Sequence, residues 1–339
     1  NEPDAGDELA RAWCDQETGL AIVLAVDEAT LSKPGRKALR RLLHALRSRG
    51  VAVPEAPAQA RVATLQSVEE EVSGAWLSGV DPSGARFALL LGRVPGGLRL
   101  FELILDEARG IPECSVYAPS RGQARQFVRR AETARGLAVR PVDPDALGAL
   151  IARCELAQPK GRALPRGFLE HRSKLVAGSG AGDTPGALAA RVLGDDPTPE
   201  TLRRATELVR AGNLGPWPPA DLAPLIESAE KLRAVLDSPL VVSDTQRREQ
   251  LAGVFREAAL GIFGGIAAPR TAALFSEAGW ALWKSGQDED ARACLAAARA
   301  VREAPDAEHA PTLALAERVL APLLERLRAR RESESLAEA

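Results

Sequence analysis

The sequence predicts an α+β fold that is mainly α: N-terminal helices, a small antiparallel β-meander covered by helices, then a C-terminal α-helical-hairpin region. Three observations carry this. Apolar residues recur at spacings of three and four over most of the chain, the helical period. Between about Val72 and Ala118 the period falls to two. The extended runs there are joined by short turn sequences, which permit antiparallel neighbours and exclude long crossovers.

Residues 7 to 50 read as helices. From Gly35 the segment GRKALRRLLHALRSRG sets Leu39, Leu42, Leu43 and Leu46 on one stripe, and Gly50 supplies a stop. Residues 51 to 60 are a proline- and alanine-rich connector. Val72, Gly74, Trp76, Ser78 and Val80 then alternate with their neighbours as the first strand. Asp81-Pro82-Ser83-Gly84 is turn chemistry, Ala85 to Val94 the second strand, Pro95-Gly96-Gly97 a second turn and Leu98 to Glu107 the third strand. Cys114 to Ala118 reads as a short fourth.

Ser120 and Gln123 form a capping-box pattern, opening a helix whose Ala124, Phe127, Val128 and Ala131 should cover one side of the sheet. Asp143-Pro144 announces the next helix, with Leu147, Leu150, Ile151 and Cys154 as its stripe. AGSGAGDTPG, residues 177 to 186, reads as a flexible linker. Beyond it the chain is helical to the end, with openings at Thr198-Pro199, Ser243 and Pro269 and a last helix at about Thr312 to Arg331. The expected organisation is therefore an N-terminal helical segment at 1–60, the meander with its packing helices at 68–176, the linker at 177–186, a helical domain at 187–331 and a frayed tail at 332–339.

A formal net charge of -2 with 27% charged residues leaves no global field toward nucleic acid or anionic membranes, so any such attraction must be local. The longest uncharged apolar run, Gly19 to Val26, is far short of the roughly 20 residues of a spanning helix. Cys14, Cys114, Cys154 and Cys294 stand too far apart in sequence for a CxxC or a zinc cluster, which reads as free thiols in a reducing compartment and a cytoplasmic protein. His44, His171 and His309 have no metal spacing. There is no nucleophile elbow, no HExxH and no dinucleotide fingerprint, and the glycines of 177–186 lack the strand and the Gly-Lys-Ser/Thr ending of a phosphate loop. No catalytic, cofactor or metal residue is singled out, and an enzyme with an unrecognised site is a third reading that no motif supports.

What does stand out is basic. Arg36, Lys37, Arg40 and Arg41 crowd the polar side of one helix, and Arg121, Arg125 and Arg129 recur every four residues on another. Two readings compete: a solvated or charge-matched packing face, and a phosphate-contacting stripe whose binding would fall with salt.

The segment Ala272 to Pro305 resembles a single tetratricopeptide repeat. Phe275, Gly279, Ala291, Leu295 and Ala298 hold that motif's large and small packing positions, with Gly286 in the turn. KALRRLLHALRSRGVAVPE looks like a degenerate HEAT-type repeat. The whole order, with its SPLVVS and GQDEDARACLAAARAV segments, resembles a group of bacterial helical-repeat proteins with an inserted β-meander and no established activity. Stacked helical hairpins usually offer concave surfaces, so the resemblance implies a non-enzymatic scaffold binding another protein or a peptide. A nucleic-acid-associated protein using the basic helices at 36–49 and 120–140 is the second expectation; its strand aromatics would have to come from Trp76, Phe87, Phe101 and Tyr117. A membrane partner is not expected.

Overall fold

A computed structural model describes residues 33–48, 71–135, 138–176, 182–238 and 243–338. The chain divides into two compact units, residues 1–69 and residues 70–339. In the first, helix α1 (Lys33–Ser48) buries Leu39 and Leu46 and part-buries Leu42 and Leu43, while Arg36, Lys37, Arg40 and Arg41 are exposed. The leucine stripe is thus realised. The remaining N-terminal expectations, among them the helix stop at Gly50, the connector at 51–60 and Cys14, lie outside the described residues.

The second unit opens with strands β1 (Glu71–Ser78), β2 (Ala85–Val94), β3 (Gly97–Asp106) and β4 (Gly110–Tyr117), an antiparallel meander as the turn chemistry requires. Asp81 makes the first turn: its Oδ1 accepts from the N–H of Ser83 at 2.7 Å and of Ala85 at 3.0 Å. At the second, Val94 pairs with Gly97 and Gly96 takes a φ of 90°, open to glycine alone at little strain. The fourth strand is longer than expected. A fifth, β5 (Val139–Pro141), pairs antiparallel with Trp76 to Ser78 of β1, giving the order β4-β3-β2-β1-β5. Three residues ending in proline carry no period, which is why this strand was not expected.

Both faces of the sheet are covered. On one, Phe87, Leu89, Leu100 and Val139 meet Phe127 and Val128 of helix α2 (Arg121–Arg135). On the other, Leu77, Leu90, Phe101 and Leu103 meet Leu147, Leu150, Ile151 and Cys154 of α3 (Pro144–Leu156). Helix α4 (Arg166–Leu175) lies against β4 so closely that a Cβ on Gly167 would sit 2.7 Å from the Cys114 carbonyl oxygen. Helix α5 (Pro185–Leu193) follows, with Thr184 as N-cap. Of the expected linker, residues 177–181 lie outside the described residues, and Pro185 and Gly186 form the first turn of α5.

Helices α6 (Pro199–Arg210), α7 (Ala223–Leu236), α8 (Asp244–Phe263), α9 (Ala268–Lys284), α10 (Asp288–Glu303) and α11 (Ala310–Glu338) complete the chain. The capping box at Ser243 and Gln246 is formed. α11 continues past Arg331, through residues that are mostly good helix formers. The hairpin that resembles a tetratricopeptide repeat is α9 and α10. Gly279 lets them touch, since a Cβ there would stand 2.9 Å from Leu295 Cγ. Phe275, Ala278, Ala297 and Ala298 face a helical core with α6, α8 and α11, whereas Trp280 and Leu295 face the sheet core. Both sides of the hairpin are therefore occupied by the chain's own core. Among the described residues no single helix is long and apolar enough to cross a membrane.

Candidate functional site

The sheet face under α2 is only partly closed. Toward the turn end of β2, a groove of about 390 Å³ opens between the strands and the helix. Trp76, Leu91 and Leu98 form its floor, Ala124 and Val128 its wall, and Arg93, Arg121, Arg125 and Arg129 its rim. Each part has a local cause. Ser73 is the extra residue of a bulge between Val72 and Gly74, with its Oγ donating to the Leu91 carbonyl at 3.1 Å. The bulge brings Gly74 beneath Trp76, and a glycine here leaves room for the indole, which is half-buried. Ser120 and Gln123 fix the start of α2: the Ser120 N–H donates to Gln123 Oε1 at 2.8 Å, and the Gln123 N–H donates to Ser120 Oγ at 3.3 Å.

The groove is electropositive. Four guanidinium groups ring it, and α2 has no acid in its first turn to offset the positive end of the helix dipole. Arg121 and Arg125 are exposed and make no ion pair among the described residues. An apolar floor that includes an indole, with cations about its edge, can hold a flat ring against the indole and anionic groups on the rim.

Of the residues singled out from sequence, Arg121, Arg125 and Arg129 come together here. Arg36, Lys37, Arg40 and Arg41 share a face of α1 with His44. Arg93 of the groove was missed because nothing in a β2 arginine distinguishes it from any other solvent-facing one. Of the four aromatics considered, Phe87 and Phe101 are core, and Tyr117 packs on Phe127 with ring centroids 4.9 Å apart. Trp76 alone faces a groove. A glycine two residues before it on the same strand face was the available signal.

A second constellation is buried. Arg86 of β2, Glu107 after β3, Arg153 of α3 and Glu277 of α9 form a neutral quartet, with side chains 1%, 5%, 32% and 0% exposed. Arg153 Nη2 donates to Glu107 at 2.6 Å and to Glu277 at 2.8 Å; Arg86 donates to Glu107 and stands 3.4 Å from Glu277. The Gly186 N–H donates to Glu277 Oε2 at 3.2 Å. Burial alone would raise the Glu107 pKa, but Arg86 and Arg153 outweigh it and hold the carboxyl below the usual range. Burial likewise opposes the Arg86 charge, and Glu107 and Glu277 more than offset it. Both acids are matched by arginines, and Glu107, held ionised, is not poised as a general acid. Cys154 beside them is a core thiol, its pKa pushed up to about 12 by burial.

Two of the three histidines are held by structural contacts: the His171 ring lies edge-on to Phe101 at 5.3 Å, and His309 Nε2 is 2.8 Å from the Ala304 carbonyl. Among the described residues no group of three or more His, Cys, Asp or Glu could hold a metal ion. Compared with protein families, with curated proteins and with solved structures, the chain matches none.

Proposed function

We propose that this is a non-enzymatic binding protein whose groove between β1, β2 and α2 takes a short single-stranded stretch of nucleic acid, one base against Trp76 and flanking phosphates on Arg121 and Arg125. The observation that carries this reading is the half-buried Trp76, its ring over Gly74, in a groove that four arginines also line. It raises the second of the sequence expectations above the first. A concave hairpin surface for a peptide is not available on α9 and α10, whose two sides are core. A reducing, cytoplasmic setting suits the reading, and Cys114, Cys154 and Cys294 as free thiols support that setting.

The test is titration of single-stranded RNA, duplex DNA and heparin against the wild type, Trp76→Ala and Arg121→Glu/Arg125→Glu, over a range of salt. Stacking on an aromatic is worth roughly 1–3 kcal/mol per base, so Trp76→Ala should weaken single-strand binding about 5- to 150-fold. The arginine variant should also flatten the salt dependence. Equal affinity for RNA and heparin, or indifference to Trp76→Ala, would overturn the proposal. A protein or peptide partner is the second reading, favoured by Leu222 and Ile226, 61% and 57% exposed one turn apart at the start of α7.

A further inference from the structure

A second cavity, also of about 390 Å³, lies beside the buried quartet. Its wall brings together Glu107, Arg153 of α3, Thr184 at the N-cap of α5, Arg270 and Ser276 of α9, and Arg302 of α10. Charge there is unbalanced. Glu107 is already matched by Arg86 and Arg153. Arg270 and Arg302 make no ion pair among the described residues, and the contact Arg270 does make is a neutral one, Nη1 to the Pro218 carbonyl at 2.7 Å. The Nε–H groups of Arg153 and Arg270 are buried without an acceptor. An anion is the natural complement to such a surplus.

The geometry narrows the class. The N-terminal ends of α5 and α9 both border the cavity, through Thr184 and Ala187 of one and Pro269 and Arg270 of the other, and their dipoles add to the positive field. Thr184 and Ser276 are the hydroxyl-bearing residues of the wall, while Ala157, Ala187 and Ala273 are apolar. Ile266, fully exposed, stands at the mouth. The volume is about thirteen times the ~30 Å³ share of a water molecule, more than a bare oxyanion needs. We infer that this cavity binds a small organic phosphomonoester, its phosphate between Arg270, Arg302 and Arg153 and its organic part toward Ile266. The site is independent of the groove under α2. The quartet, by holding Arg153, positions one of its three cations.

The experiment is isothermal titration of the full chain with glucose 6-phosphate, inorganic phosphate and glucose. The expected result is binding by glucose 6-phosphate, weaker binding by inorganic phosphate and none by glucose, strengthening as pH rises through about 6, where a phosphomonoester takes its second charge. Arg302→Glu, on an exposed position, should cost tenfold or more in affinity with circular dichroism and ligand-free melting unchanged; Arg270→Gln should do the same. Arg121→Glu/Arg125→Glu should bind glucose 6-phosphate as the wild type does, even where it loses RNA. Failure of the wild type to discriminate glucose 6-phosphate from glucose would overturn the inference. So would full affinity in Arg302→Glu, or loss in the groove variant alone.

Discussion

The indole of Trp76 lies over Gly74, so that a Cβ at position 74 would stand 2.5 Å from the ring carbon Cη2. No pair of non-bonded carbons tolerates that distance, and the glycine is what allows the ring to occupy this position. Its role is steric.

Gly74→Ala should therefore swing the indole out of the groove. Overpacking of this kind costs about 1–3 kcal/mol, a range the fold survives. Acrylamide quenching, compared with Trp76→Phe to isolate this one of five tryptophans, should show greater exposure at position 76 and a parallel loss of groove binding. An unchanged quenching difference would show that the ring is not held by Gly74.

Glu277→Ala should lower the free energy of unfolding by about 3–5 kcal/mol, because it leaves buried arginine charge uncompensated. Glu277 is fully buried and touches Arg153, Arg86 and the Gly186 N–H. Urea denaturation measures the loss. The double replacement Arg86→Met/Glu277→Leu should recover part of it, since a buried pair exchanged for apolar groups is often neutral. A Glu277→Ala protein as stable as the wild type would mean that the quartet is not formed.

Acid should unfold the protein partly through Glu107. Its carboxyl titrates below its ordinary 4.5 in the folded chain, so the stability it contributes is complete above that value. The contribution is lost as pH falls from there through the lower folded value. Asp106 is depressed in the same sense: burial works against its charge, and the N–H groups of Ala108 and Arg109 with the Arg109 guanidinium outweigh it. Unfolding free energy measured from pH 6 to pH 3 should fall, and Glu107→Gln should flatten the slope while lowering stability at pH 6. An equal slope in the variant would remove Glu107 from the account.

Cys114, Cys154 and Cys294 should be unreactive in the folded chain. Burial pushes Cys114 up to about 11 and Cys154 up to about 12, and raises Cys294 as well. At pH 8 the smaller thiolate fraction alone should slow their reaction with a disulfide reagent at least about two-hundredfold relative to an exposed cysteine near 8.5, and Cys154 more than Cys114. Unfolded without reductant, the chain should titrate four thiols. A count of two would reveal a disulfide.

Where turn chemistry or a period ran clearly, the sequence was enough: β2 is bounded at Ala85 and Val94 as the flanking turns predict, and Leu147, Leu150, Ile151 and Cys154 are all buried on α3. Capping chemistry placed helix starts just as well, at Ser120, Asp143, Thr198 and Ser243. β5 escaped because three residues have no period, and Pro185-Gly186 read as linker because proline and glycine signal breaks unless a preceding threonine caps them. For the candidate sites the limit is different. The every-fourth-residue arginines of α2 were visible, but their meeting with Arg93 and Trp76 depends on strand register and a bulge. Arg86, Glu107, Arg153 and Glu277 are spread over nearly two hundred residues, and no spacing rule joins them.

The hairpin of α9 and α10 has a thermodynamic consequence. Gly279 closes the two helices on each other, Phe275 and Ala298 anchor them in one core, and Trp280 and Leu295 anchor them in the other. Neither core can be exposed to water without removing a wall of its neighbour. The sheet and the C-terminal helices should then melt in one transition, with calorimetric and van't Hoff enthalpies that agree, and a fragment ending before α9 would strip Trp280 and Leu295 from the core that α3 shares with the sheet.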